Sequence, residues 1–150
     1  MKFEAVHSKK EVERLLSEFK KRGEFTIDLE TTSLNPREAE IVGVALSYDV
    51  ATGYYIPLKH RVSEKDQLDS DWVLGKLKPI LENSKIKKVG QTLKYDWSVL
   101  YYNDIVMDGI GADTMVASFV LDPSGRHNFD TLCLKYLQYQ PVNFEEVCGK

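Results

Sequence analysis

An α/β fold, with a mixed sheet flanked by helices, is predicted by three observations. Apolar residues recur at helical spacing in several stretches, others alternate with a period of two, and strand after strand gives way midway to strands alternating with helices. The first element is a short strand around Phe3 to Val6. Ser8-Lys9-Lys10-Glu11 then forms a capping box, and Val12, Leu15, Leu16 and Phe19 follow at helical spacing up to Gly23. From Glu24 to Glu30, apolar Phe25, Ile27 and Leu29 alternate with polar Thr26, Asp28 and Glu30, which is the period of a strand. The turn Ser33-Leu34-Asn35-Pro36-Arg37 ends it. Ile41 to Tyr48 and Tyr54 to Leu58 are further β-rich runs, and Asp49 to Gly53 between them suits a hairpin turn. Three strands in succession predict an antiparallel meander.

From about Asp71 helices take over. Trp72, Leu74, Leu77, Ile80 and Leu81 share a helical face, Ile86 to Val89 reads as a short strand, and a helix starts near Thr92. Two more helices are predicted, at about Ala112 to Leu121 and at Phe129 to Leu137, the second after the turn Asp122-Pro123-Ser124-Gly125. Strands that first meander and later alternate with helices give a mixed sheet with parallel as well as antiparallel neighbours.

Composition narrows the function classes. At 150 residues, 43% hydrophobic and 29% charged, the chain reads as one ordinary globular domain over 1–150, with no repeat, linker or low-complexity tract. No apolar run is long enough to span a bilayer and no signal-peptide pattern opens the chain, so a cytoplasmic protein is expected, nucleoid-associated if bacterial. A formal charge of -3 argues against a protein that grips nucleic acid over its whole surface, but leaves room for a small polar cleft. Cys133 and Cys148 are too far apart for a CxxC motif and read as unpaired thiols.

The chemistry lies on the second strand. Residues two apart on a strand share a face, so Asp28 and Glu30 stand side by side while Phe25, Ile27 and Leu29 bury the other face. On a buried central strand both acids would be desolvated and would repel, which a cation would offset. Oxygen-only ligands favour Mg²⁺ or Mn²⁺. For an isolated Asp-x-Glu, a plain solvated strand face is the better explanation. Further along, Val89-Gly90-Gln91-Thr92-Leu93-Lys94-Tyr95-Asp96 leads from a strand into a helix and sets a third acid on its first turns.

Five segments carry a more specific signal: Thr26 to Leu34, Gly90 to Asp96, Asp113-Thr114-Met115, Gly125 to Leu132, and Phe144 to Lys150. Their order and spacing resemble those of the 3′–5′ exonuclease (proofreading) domain of family A DNA polymerases. The resemblance implies a ribonuclease H-like fold, with Asp28, Glu30 and Asp96 as catalytic, metal-binding acids. It further implies two divalent ions, Mg²⁺ or Mn²⁺, roughly 3.5–4 Å apart in sites of this class. The substrate would be the 3′ end of single-stranded DNA, the product a nucleoside 5′-monophosphate, and a polymerase domain would belong to the same native polypeptide. Thr31 and Leu34 match positions that contact the terminal nucleotide, and Arg126 a position near the DNA strand. Thr92 stands where the family usually has asparagine; it keeps a hydroxyl that can cap the next helix but lacks the amide. A third motif, Tyr-x-x-x-Asp on a later helix, would follow Lys150, so the chain is expected to hold the N-terminal part of the domain with the first two motifs. Two alternatives stay open: an inactive scaffold or single-strand guide, and an RNA-trimming exonuclease resembling ribonuclease D.

Other polar residues have quieter readings. Asp113 and Asp130 precede apolar helical runs and are expected as N-caps; His60 and His127 are expected to be exposed in loops. Lys85, Lys87 and Lys88 read as the charges of an edge strand or a surface that attracts DNA. Tyr95, Trp97, Tyr101 and Tyr102, at helical spacing, are expected in the core.

Overall fold

The computed structural model describes residues 2–61, 66–142 and 146. Backbone contacts divide the chain into two compact units, Met1–Asp113 and Thr114–Lys150.

In the first unit the order is β1 (Lys2–Ala5), α1 (Lys9–Arg22), β2 (Glu24–Thr31), β3 (Ile41–Ser47), β4 (Thr52–Pro57), α2 (Ser70–Leu81), β5 (Lys87–Gly90), α3 (Leu93–Tyr102) and β6 (Ile110–Asp113). The six strands form one sheet in the order β1-β4-β3-β2-β5-β6. The β2–β3–β4 meander is antiparallel, whereas β1 joins β4, β5 joins β2 and β6 joins β5 in parallel. This is the predicted mixed α/β sheet.

The capping box forms: Glu11 N donates to Ser8 Oγ at 3.3 Å and Ser8 N to Glu11 Oε2 at 3.2 Å. Gly23, at φ 72°, ends α1 in the left-handed conformation that only glycine adopts without strain. Val12, Leu15, Leu16 and Phe19 are buried, and Phe19 stacks on Phe25 of β2 with ring centroids 4.5 Å apart. Burial of such side chains contributes about 1.5–3 kcal/mol each, which fixes α1 against the sheet.

Several local expectations are corrected. On α2 the buried side chains are Val73, Leu77, Ile80 and Leu81, with Trp72 and Leu74 only partly covered. Strand β6 occupies positions expected to open a helix at Ala112. Its Gly111 and Ala112 are weak strand formers, so pairing with β5 decides the conformation. A Cβ at Gly111 would stand 3.0 Å from Lys87 Cβ, a tight contact that would need the Lys87 side to give by a few tenths of an ångström. Because β6 pairs beyond it, β5 is not an edge strand. Lys87 is exposed, but Lys88 points inward, fully buried, and its ammonium donates to the carbonyls of Asn83 and Ile86, both at 2.8 Å. Tyr101 and Tyr102 are half exposed, because the buried stripe of α3 runs through Leu93, Asp96, Val99 and Leu100.

The second unit contains α4 (Thr114–Leu121) and α5 (Phe129–Leu132), the latter continuing into a π-helical turn, Cys133–Leu137. Asn128 holds the N-cap position of α5, so Asp130 lies inside the first turn instead of capping it. His127 is buried, not exposed: its Nδ1 lies 2.8 Å from Ser118 Oγ and its ring packs on Phe119. Cys133 is a buried free thiol. Cys148 and most of the Phe144 to Lys150 segment lie outside the described residues. No described helix is long and apolar enough to cross a membrane.

Candidate active site

Strand β2 separates core from chemistry by its pleat. Phe25, Ile27 and Leu29 are buried beneath it, while Asp28, paired with Ala45 of β3, and Glu30, paired with Gly43, emerge on the other face. That face is open, so the two acids are exposed to solvent, as on a solvated strand face. Protein still crowds the inner side of Asp28. Loss of hydration there, and then the charge of Glu30, push its carboxyl up to about 6.

Asp96 lies on the first turns of α3 and is 3% exposed. Its Oδ1 accepts the N–H of Leu29, between the other two acids, at 3.1 Å. This bond joins α3 to the centre of β2. Burial pushes the Asp96 carboxyl up to about 7, with the charges of Asp28 and Asp113 adding to it and the Leu29 N–H opposing it. The three predicted acids therefore share one electrostatic neighbourhood. Among the described residues, however, no three His, Cys, Asp or Glu side chains converge closely enough to hold a metal ion as they stand.

The entry to α3 is a strained, specific piece of backbone. A Cβ at Gly90 would stand 2.5 Å from the Leu93 side chain and 2.9 Å from the Ile27 carbonyl, so the chain passes β2 there only as glycine. Thr92 is at φ 65°, in the left-handed region, and its side chain does not make the expected capping bond. The cap comes from Asp113, which was expected to serve the helix that follows it: its Oδ1 accepts from Thr92 N at 3.2 Å and its Oδ2 from Leu93 N at 2.7 Å. Asp113→Ala is expected to cost about 1–2 kcal/mol, in line with lost N-caps, read as a lower urea midpoint with an unchanged slope.

The exit of β2 is tied to the same helix. Tyr95 Oη lies 2.5 Å from Thr31 Oγ1 and donates to the Ser33 carbonyl at 2.5 Å. Thr31 is thus tied to α3, while Leu34 at the following turn is 95% exposed. Arg126 belongs to the second unit, where it is exposed. Sequence reasoning missed Asp113 and Tyr95 as parts of the site. Tyr95 had one usable signal, its place next to Asp96 in a strand-to-helix segment.

A mixed six-stranded sheet flanked by helices is the architecture of a ribonuclease H-like domain. Escherichia coli RNase D, described as an exoribonuclease involved in structured RNA processing, shares this fold with a TM-score of 0.70. The match covers 98% of this chain and 36% of that one at 16% identity. DNA polymerase I of Pseudomonas aeruginosa is 43% identical over 127 residues, 82% of this chain. DNA polymerase I of Borreliella burgdorferi is 29% identical over 150 residues, 100% of this chain. The chain spans only 14% and 16% of the length of those two relatives. The sequence model of the 3′–5′ exonuclease family matches residues 3–150, and the chain belongs to that family, as an exonuclease domain of the DNA polymerase I kind.

Proposed function

We propose that this chain carries the proofreading site of a DNA polymerase: it hydrolyses the last phosphodiester at the 3′ end of single-stranded DNA and releases a nucleoside 5′-monophosphate. The polymerase portion would lie in the same native polypeptide, acting in the cytoplasm. The observation that carries this reading is the group Asp28, Glu30 and Asp96 in a domain of this family: the charge of Glu30 adds to the raised Asp28 carboxyl, and that of Asp28 to the raised Asp96 carboxyl.

The donor set fits a hard divalent ion. It is all carboxylate oxygen, and at neutral pH the acids repel, so Mg²⁺ or Mn²⁺ would relieve the cost of bringing them together. Asp28 and Glu30 are exposed side chains able to turn toward Asp96, and these three would hold two ions. When bound, such ions make hydroxide available near neutral pH and stabilise the leaving 3′ oxygen.

The protein's own part is orientation. The Leu29 N–H fixes one oxygen of Asp96. The Tyr95 hydroxyl holds Thr31 and the turn carrying Leu34 in place, where an exposed apolar side chain can lie against the terminal base without reading its identity. Thr92 would border the substrate at the entry to α3, and Arg126 can hold a phosphate bidentately.

The test is degradation of 5′-labelled single-stranded DNA and RNA of one sequence with Mg²⁺ or Mn²⁺. It compares the chain, its Asp28→Ala form, and a version extended by about 60 residues, a length consistent with a complete domain. Stepwise shortening of DNA from its 3′ end, lost in Asp28→Ala, is the expected result. Preference for RNA would favour the ribonuclease D-like reading. A folded, inert extended form would favour the scaffold.

A further inference from the structure

On the opposite side of Glu30 from Asp96 lies a second polar construction. Asp28, Ala45 and Tyr55 are aligned across β2, β3 and β4, and so share the open face of the sheet. The Tyr55 ring leans along this face over Gly43, the cross-strand partner of Glu30. A Cβ at Gly43 would stand 1.8 Å from Tyr55 Oη, so the ring occupies space that any larger residue would fill. Tyr55 Oη lies 2.6 Å from His60 Nε2. His60 is in turn held on both backbone groups by Gln67, whose Oε1 accepts its N–H at 2.5 Å and whose Nε2 donates to its carbonyl at 2.8 Å. The charge of Glu30 reaches the hydroxyl: burial first and then Glu30 push the Tyr55 phenol up to about 12.

We infer that Tyr55 and His60 are a positioning pair for Glu30: the His60-anchored ring over Gly43 walls off the β4 side of the acid face and directs the Glu30 carboxylate toward Asp28 and Asp96. This rests on the nuclease reading of the three acids. The physical reason is entropy. A glutamate side chain free to rotate at the surface must be ordered when it takes a ligand, and a fixed wall removes part of that cost beforehand.

The experiment is calorimetric titration of the chain with Mn²⁺ alone, paired with thermal midpoints of every variant. The parent is expected to bind Mn²⁺ and Asp28→Ala to lose it. Tyr55→Phe and His60→Ala should each weaken binding by about tenfold, the scale of lost outer-sphere support in metal sites. Because both break one bond, the double variant should be no weaker than either single one. Gly43→Ala should weaken binding as much as Tyr55→Ala, and the two together no more than Tyr55→Ala alone. A purely structural pair would lower the thermal midpoint and leave Mn²⁺ affinity unmoved. If Tyr55→Phe and His60→Ala stay within about twofold of the parent, or their effects simply add, the positioning pair is overturned while the acid site stands. If parent and Asp28→Ala bind Mn²⁺ alike, the acid site itself is wrong and the pair falls with it.

Discussion

Asp96→Asn is expected to lower nuclease activity by roughly three powers of ten or more, the usual loss when one member of a catalytic unit is removed, while leaving the metal-free fold at least as stable near pH 8. The two effects have one cause. Asparagine keeps the volume and an oxygen that can accept the Leu29 N–H, now 3.1 Å from Oδ1, so the joint between α3 and β2 survives. What it removes is a negative charge that burial and the charge of Asp28 oppose, as the raised carboxyl shows. A group kept for folding would cost stability when neutralised; one kept to hold a cation costs only function. Asp28→Ala should lose comparable activity. Single-turnover cleavage and urea midpoints for the same preparations test both halves, and an Asp96→Asn chain clearly less stable than the parent near pH 8 would show that the buried charge has a structural partner.

The parts of this site that were legible in the sequence are those written in local pattern. The alternation from Phe25 to Glu30 fixed which residues share a face, and the capping box at Ser8 and Glu11 fixed where α1 begins, because both depend on neighbours a few residues apart. Asp96 was legible only through its motif; nothing in its own surroundings says that Leu29, far away in sequence, donates to it. Asp113 shows the limit most clearly. A carboxylate before an apolar run reads as the cap of that run, yet the pairing of β6 with β5 carries it to the entry of α3. Lys88 failed for the same reason. Alternation marks it as a surface charge, but β6 covers its strand and the loop carbonyls of Asn83 and Ile86 take up its ammonium. The Tyr55–His60 pair and its clearance over Gly43 also arise from strand register, which no local spacing records. Tertiary pairing thus decided the polar details around the acids, while local pattern decided where two of the three acids stand.

The same acids predict an unusual pH dependence. In the metal-free chain, carboxyls raised to about 6 at Asp28 and about 7 at Asp96 retain protons in the folded state that the unfolded chain, with an ordinary value of 3.8, has already released. Unfolding therefore releases protons between about pH 4 and 7, and linkage requires stability from these groups to be full below that window and to fall as pH rises through it. Lys88, lowered to about 8 chiefly by burial, acts only above this range and with the opposite slope, since there the unfolded chain binds the extra proton. A divalent ion should reverse the trend, because it binds the ionised acids and stabilises the fold by about 2.7 kcal/mol at a hundredfold excess over its dissociation constant. The thermal midpoint without metal should fall from pH 4 to 7, and the Mn²⁺-induced rise should be small near pH 5 and large near pH 8. In Asp96→Asn both the slope and the metal response should flatten. Equal metal stabilisation at both pH values would mean that the ion binds elsewhere, whereas a metal response that grows with the ionisation of Asp28 and Asp96 would tie it to these two side chains.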